Sequence, residues 1–270
     1  MILLDKKQYS KVVEFLQSVT INNLFARSVV EQKVSGKIFV DNTDNPQTFY
    51  VLHPYGMSLL FGDWTNTEFN NRFKAYALDG HNSRSHIEWM QTFPDEWNDT
   101  LFDLLGDKLI PSDGNTTDIG VVELNTRVNF KFNRETYMNR QKLDTSQVEI
   151  RQTDAHAYHN MPGTVVPKYF WDSGTDFFEQ GIGFSLFYNT QLASMAFSSY
   201  IHDDKLEIGI ETAPQFRKKG YAEMVCSAMI EYCIANAYEP VWSCRLENTG
   251  SYMLAQKLGF EPTTNKPYYR

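Results

Sequence analysis

The sequence predicts an α/β (α+β) fold: a mixed, mostly antiparallel sheet flanked by helices, with an additional N-terminal α/β domain. Three observations carry this. Residues 183–188, 192–201 and 205–212 read as successive strands joined by short turns, which makes an antiparallel meander. A strongly apolar helical stretch at about 220–237 then leads to a strand at 241–246, a β-α-β crossover that adds a parallel neighbour. Aromatic residues are plentiful, with 15 Tyr and 19 Phe, and they favour a fold that contains sheet.

Taken in order, residues 5–33 read as two helices, with Val12, Val13, Leu16 and Val19 on one helical stripe. Strands follow at 36–41, 48–53 and 57–62, the last two joined by the turn His53-Pro54-Tyr55-Gly56. Helices are expected near 67–79 and 95–109, where Trp97, Leu101, Leu104 and Leu105 recur at helical spacing, and a β-branched strand over 119–132. Residues 1–132 form an N-terminal domain that carries no chemical motif, and no repeat in it is strong enough to claim a degenerate copy of the second half. Asn133 to Leu143 is polar and reads as a connecting helix or linker into a second domain, 133–270. That domain runs as a strand at 147–153, helical pieces at 155–160 and about 168–180, and then the meander and the crossover. A helix at about 250–258 and a short terminal strand complete it.

Composition narrows the class. With 270 residues the chain can bury a sizeable core, and 42% hydrophobic and 21% charged residues are ordinary for a soluble protein. A net charge of −8 argues against nucleic acid as the partner and suits a cationic small molecule. No run approaches the roughly 18 apolar residues of a membrane helix, and MILLDKKQYS lacks the pattern of a secretory leader. The expectation is a cytoplasmic protein with reduced thiols at Cys226, Cys233 and Cys244 and no membrane partner. The sequons at Asn98-Asp99-Thr100 and Asn115-Thr116-Thr117 carry no meaning without secretion. His156 and His159, with Asp154 nearby, are too few for a metal site, and His81 and His86 are weaker still, so no metal is expected.

The chemistry concentrates where strand 205–212 ends and the apolar helix begins. Arg217-Lys218-Lys219-Gly220-Tyr221-Ala222 opens that helix. A helix N-terminus offers unpaired N–H groups and a positive dipole end, Gly220 leaves the backbone approachable, and three cations add charge, so a polyphosphate fits. The dinucleotide and P-loop glycine patterns are absent. On the strand, Leu206, Ile208, Ile210 and Thr212 alternate with Glu207, Gly209 and Glu211. The glycine between two glutamates predicts a shallow gap where a substrate could lie near either carboxylate; the plain alternative is a solvent-facing polar strand side.

Arg217-Lys218-Lys219-Gly220-Tyr221-Ala222 matches the motif Gln/Arg-x-x-Gly-x-Gly/Ala, and Asn248-Thr249-Gly250-Ser251 through Lys257-Leu258-Gly259-Phe260 matches a later Asn-x-x-Ser/Ala segment ending in Lys-Leu-Gly-Phe. Both, in order and separated by a helix and a strand, resemble the GNAT superfamily of acetyl-CoA-dependent N-acetyltransferases. Glu207-Ile208-Gly209-Ile210 through Thr212, with Pro240-Val241-Trp242 through Cys244, is similar to the branch containing the zwittermicin A resistance acetyltransferase. The resemblance implies a GNAT-like sheet and acetyl-CoA as co-substrate, contacted by Ile210, Thr212, Arg217, Lys218, Lys219, Gly220, Tyr221, Ala222, Asn248 and Ser251. It also implies a glutamate base on strand 205–212, matched best by Glu207 and second by Glu211.

The implied reaction is direct transfer of an acetyl group to a primary amine of a small molecule, and a homodimer is compatible with it. Two departures keep other readings open. The family's tyrosine acid, four residues before the glycine of the Gly-Phe pair, is Ala255 here, with Tyr252 one turn earlier, and the first half carries no motif. A catalytically degenerate CoA-binding or regulatory module, or a protein-modifying acetyltransferase, would account for these. Asn248 is also a natural helix N-cap.

Overall fold

The computed structural model describes residues 1–78, 84, 86–112 and 120–270; His81 and the sequon at Asn115 lie outside the described residues. The chain forms two compact units. One comprises Met1–Arg127, Arg245–Glu247 and Asn265–Arg270, the other Val128–Cys244 and Asn248–Thr264.

The first unit begins with β1 (Ile2–Leu3) and two helices, α1 (Ser10–Gln17) and α2 (Leu24–Val30). Three antiparallel strands follow, β2 (Lys37–Val40), β3 (Thr48–Leu52) and β4 (Met57–Gly62). The His53–Gly56 turn between the last two closes with a Gly56 N–H to His53 O bond of 2.8 Å. Helix α3 (Thr67–Leu78) crosses to β5 (Trp89–Phe93), which lies parallel to β4. After α4 (Glu96–Leu105) come β6 (Leu109–Pro111) and the long β7 (Val122–Phe132). Tyr50, Leu60, Phe69, Phe73, Trp97 and Leu101 interlock as the buried core between α3, α4 and the strands.

The second unit adds α5 (Arg134–Asn139), β8 (Glu149–Gln152), α6 (Ala155–Asn160) and α7 (Gly174–Gln180). The meander is β9 (Gly183–Tyr188), β10 (Gln191–His202) and β11 (Lys205–Thr212), antiparallel throughout. Helix α8 (Tyr221–Ala235) crosses to β12 (Glu239–Arg245), followed by α9 (Thr249–Lys257) and β13 (Phe260–Tyr269). The strand order is β8-β9-β10-β11-β12-β7-β13. Val225, Cys226, Met229, Ile230 and Cys233 turn one face of α8 onto Leu206 and Ile208 of the sheet, which fixes its N-terminus.

Each unit thus runs strand, two helices, three antiparallel strands, helix, parallel strand, helix, strand. In the first, with the short β6 between α4 and β7 set aside, the series is β1-α1-α2-β2-β3-β4-α3-β5-α4-β7; in the second it is β8-α6-α7-β9-β10-β11-α8-β12-α9-β13.

The fold is the mixed, mostly antiparallel sheet with helices that the sequence predicts, with local differences that include the short strands β1 and β6, which the expected elements lack. Strand β5 has no counterpart in the expected elements: it is five residues long, ends at a proline and is largely buried, so alternation gives no signal. The expected helix at 168–180 starts only at Gly174, because Ser173 caps it by accepting from Asp176 N–H. The terminal strand is long, ten residues, although Pro262 and Pro267 argue against sheet.

Candidate functional site

Strands β11 and β12 pair in parallel over only three positions, Lys205↔Glu239, Leu206↔Pro240 and Glu207↔Val241. Both strands then continue, to Thr212 and Arg245, without a shared ladder. The result is a fork whose inner edges carry backbone N–H and C=O groups, the feature by which an extended amide chain adds to a sheet.

Glu207 sits at the base of the fork. It is 5% exposed, so the solvent-facing reading of its strand side does not hold. Ser243, two residues beyond the last pair on β12, donates its hydroxyl to Glu207 Oε1 at 2.6 Å. The expected gap over Gly209 is corrected: Phe197, directly opposite on β10, lays its ring there. A Cβ on Gly209 would lie 2.5 Å from Phe197 Cζ, and Phe170 packs against that ring at 5.2 Å. The glycine makes room for an aromatic ring of the protein's own core.

Glu211 lies further up β11 in a different setting. Its Oε2 accepts from the N–H groups of Thr164 (3.2 Å) and Val165 (3.3 Å). Its Oε1 accepts from its neighbour Thr212 N–H (3.2 Å) and from Arg217 Nη2 (3.3 Å). Gly163 comes so close that a Cβ would meet Glu211 Oε2 at 2.3 Å. Glu211 therefore fastens the 163–165 segment to the strand, and four donors already use the lone pairs that a proton acceptor needs free.

The N-terminus of α8 follows. Gly220 is left-handed at φ 81°, a conformation L-residues adopt at a cost, and no side chain caps the helix. The first helical bond is Met224 N–H to Gly220 O at 3.1 Å, so the amides of Tyr221, Ala222 and Glu223 precede the ladder. A Cβ at Gly220 would meet only Leu143 Cδ1, at 3.5 Å, so the approach is open. The three cations are disposed differently. Arg217 turns back, donating Nε–H to Thr212 O at 3.1 Å as well as reaching Glu211. Lys219 holds its ammonium 5.3 Å over the Phe216 ring, and Lys218 is exposed with φ 62°. Glu223, an anion in the first turn, is faced by Lys257 at 3.9 Å.

Asn248 caps α9, accepting from Ser251 N–H at 3.2 Å, and Ser251 Oγ accepts from Trp242 Nε1 at 3.2 Å. Ile210 and Thr212 lie on the part of β11 beyond the fork's base, and Ser194 Oγ is 2.8 Å from Thr212 Oγ1. Ala255 is fully buried, and Tyr252 packs edge-on against Phe130 at 5.4 Å. Burial pushes the Cys233 thiol up to about 12, and the Cys226 thiol is raised by the same cause, so neither is a nucleophile. Among the described residues no cluster of His, Cys, Asp and Glu could hold a metal ion, and no helix is long and apolar enough to cross a membrane. Ser243, Phe197 and the 163–165 segment had no signal in the sequence; each reaches the site from a different strand or loop.

The corresponding places in the first unit are closed. There β4 and β5 pair over five positions, Met57↔Trp89 to Phe61↔Phe93, which is the whole of β5. The start of α3 is capped by Asn66, whose Oδ1 accepts from Phe69 N–H at 3.0 Å. Asp63 and Glu68 flank that turn where α8 has cations.

The sequence matches the family model of the GNAT acetyltransferases over residues 15–269. It is similar to the uncharacterized N-acetyltransferase YdfB of Bacillus subtilis (strain 168), 23% identical over 98% of this chain and 97% of that one. Among solved structures, a GCN5-related N-acetyltransferase-like protein from Streptococcus suis 89/1591 superposes with a TM-score of 0.69 at 17% identity, covering 98% of both chains. A tandem GNAT protein from the clavulanic acid biosynthesis pathway gives 0.62 at 9% identity, covering 99% of this chain and 96% of that one.

Proposed function

The chain belongs to the GNAT acetyltransferase family, and on that premise we propose that its second unit moves an acetyl group from acetyl-CoA directly to a primary amine of a small molecule. The observation that carries this reading is the fork between β11 and β12, opening beside an uncapped helix N-terminus. The diverging edges of Ile208–Thr212 and Trp242–Cys244 suit an extended arm of alternating amides, and the Tyr221–Glu223 amides suit a pyrophosphate. Among the described residues of the first unit neither feature is present: β5 pairs with β4 over its whole length, and Asn66 caps α3. The tandem arrangement named for the clavulanic acid pathway protein is consistent with a duplicated unit of which one half has lost its cleft. Within the family we place the chain near the zwittermicin A resistance branch, on its Glu-Ile-Gly-Ile and Pro-Val-Trp segments.

The thioester supplies an acyl carbon activated for attack. An acceptor amine arrives as ammonium near neutral pH and has no lone pair until a proton leaves. Glu207 takes that proton, directly or through one water, while Ser243 holds the carboxylate in orientation. The amine nitrogen then bonds to the acyl carbon, the carbon–sulfur bond breaks, and the departing thiolate takes a proton from water, since Ala255 supplies none. Glu211 is the weaker candidate for the base because its oxygens are occupied.

Calorimetry with acetyl-CoA, followed by an amine panel assayed for released thiol, tests the reading. Binding with release of one thiol per amine acetylated supports it. Tight binding without turnover on any amine refutes the enzymatic assignment and leaves a CoA-binding module.

A further inference from the structure

Strand β12 ends in a charged side chain that the acyl transfer described above does not use. Burial alternates strictly along it: Pro240, Trp242 and Cys244 are buried, while Val241, Ser243 and Arg245 are half-buried on the opposite face. Ser243 is the residue that bonds Glu207. Arg245, two residues further, projects to the same side, about 7 Å along the strand.

Arg245 belongs to the first unit, which holds its side chain in place. The guanidinium lies 4.6 Å over the Trp89 ring, and its Nη1–H reaches Asn125 Oδ1 at 3.4 Å. Tyr268 stacks on Trp89 at 5.3 Å, which steadies the ring as a floor. Arg270, 5.4 Å over the same ring, has its own acid, Glu123, at 3.0 Å. Arg245 has no acidic partner among the described residues, although the chain carries 33 acidic and 25 basic residues. Glu247, two residues on, turns its carboxylate to Thr126 N–H at 3.4 Å instead. An arginine laid flat on an indole keeps its N–H edge for a planar acceptor, and a carboxylate fits that fork.

We propose that the acceptor is a primary amine that also carries a carboxylate several bonds away, its carboxylate held by Arg245 while its amine meets Glu207. This inference rests on the acyl-transfer reading above and names the substrate class for it. A single guanidinium balances a monoanion. A phosphate dianion would call for a second cation, and Arg270 is already engaged by Glu123. The acceptor's ammonium and carboxylate are matched in turn by Glu207 and Arg245, so the bound molecule adds no net charge.

The test measures thiol release from acetyl-CoA with 5-aminovalerate and with pentylamine. Alongside it, calorimetry measures binding of the two products, N-acetyl-5-aminovalerate and N-pentylacetamide, to the full chain with CoA present. The carboxylate should raise kcat/KM about tenfold or more, mainly through KM, and tighten product binding by a similar factor, the size of one charged hydrogen-bonded pair. Both advantages should shrink in high salt. Arg245→Gln should bring both ratios close to one, and Arg245→Lys, which keeps the charge but not the fork, should retain part of each. Melting curves report folding; if Arg245→Gln does not fold, Arg245→Lys carries the test, with both ratios reduced. No thiol release with either amine, beside a product preference that Arg245→Gln removes, refutes the enzymatic reading and leaves the carboxylate site standing. A parent that shows no preference for the carboxylate in either pair, or a preference undiminished in both Arg245 variants, overturns the proposal.

Discussion

Ser243 on β12 donates its hydroxyl to the buried carboxylate of Glu207 on β11 at 2.6 Å, across the point where the two strands cease to pair. This bond ties both arms of the fork at its base. It also orients a carboxylate that is both buried and placed beside the opening. Replacing Glu207 with Gln keeps the shape and the Ser243 contact but removes the proton acceptor. Turnover should fall by about two to four orders of magnitude with acetyl-CoA affinity unchanged. The deficit should shrink as pH rises and free amine becomes abundant. Ser243→Ala should cost less, about tenfold, acting through Glu207. Equal turnover in Glu207→Gln, measured by thiol release, would move the base to Glu211 or to water.

Gly220 combines a left-handed backbone with open space above it. Gly220→Ala meets no clash, so its cost is the backbone conformation, about 1–2 kcal/mol in denaturant titrations. Asn tolerates this conformation and carries no charge, whereas Asp adds an anion where a pyrophosphate would lie. Gly220→Asp should therefore abolish acetyl-CoA binding while Gly220→Asn retains part of it. Parent-like affinity in Gly220→Asp would place the phosphates elsewhere.

Phe197 and Gly209 form a matched pair across β10 and β11. A methyl on Gly209 would have to displace a ring held against Phe170. Gly209→Ala should destabilise the protein by about 1–3 kcal/mol, as overpacking does. Combining it with Phe197→Leu should recover part of that loss, because the two sites share one volume. Strict additivity in urea midpoints would show that they do not compete.

His53 gives the protein a calculable acid sensitivity. It is fully buried, its Nδ1 accepts the Tyr55 N–H at 3.0 Å, and burial lowers it from its ordinary 6.5 to about 3. The folded value lies below the unfolded one, so the unfolded chain takes up the proton first. The contribution is whole above pH 6.5 and is lost progressively as pH falls toward 3, at up to about 1.4 kcal/mol per pH unit. His53→Gln should flatten the stability profile in that window, read from urea unfolding. An unchanged slope would assign the acid limb to other groups.

The sequence alone determined the order of elements around the cofactor turn, because the signals there are local. Gly220, the apolar face of α8 and the cap at Asn248 are written within a few residues of where they act. Strand β5 was invisible for the complementary reason: five largely buried residues between turns carry no alternation, and only pairing with β4 makes them a strand. Tertiary structure alone separates the surroundings of the two glutamates. Glu207 and Glu211 stand on the same side of one strand, four residues apart, and nothing local separates them. Ser243, 36 residues away, orients the first, while Thr164, Val165 and Arg217 saturate the second. The same holds for Gly209, whose empty face invites a substrate in the sequence and is filled by Phe197 in the sheet. Such partners come together through strand register and loop packing, which are properties of the assembled sheet rather than of any short segment.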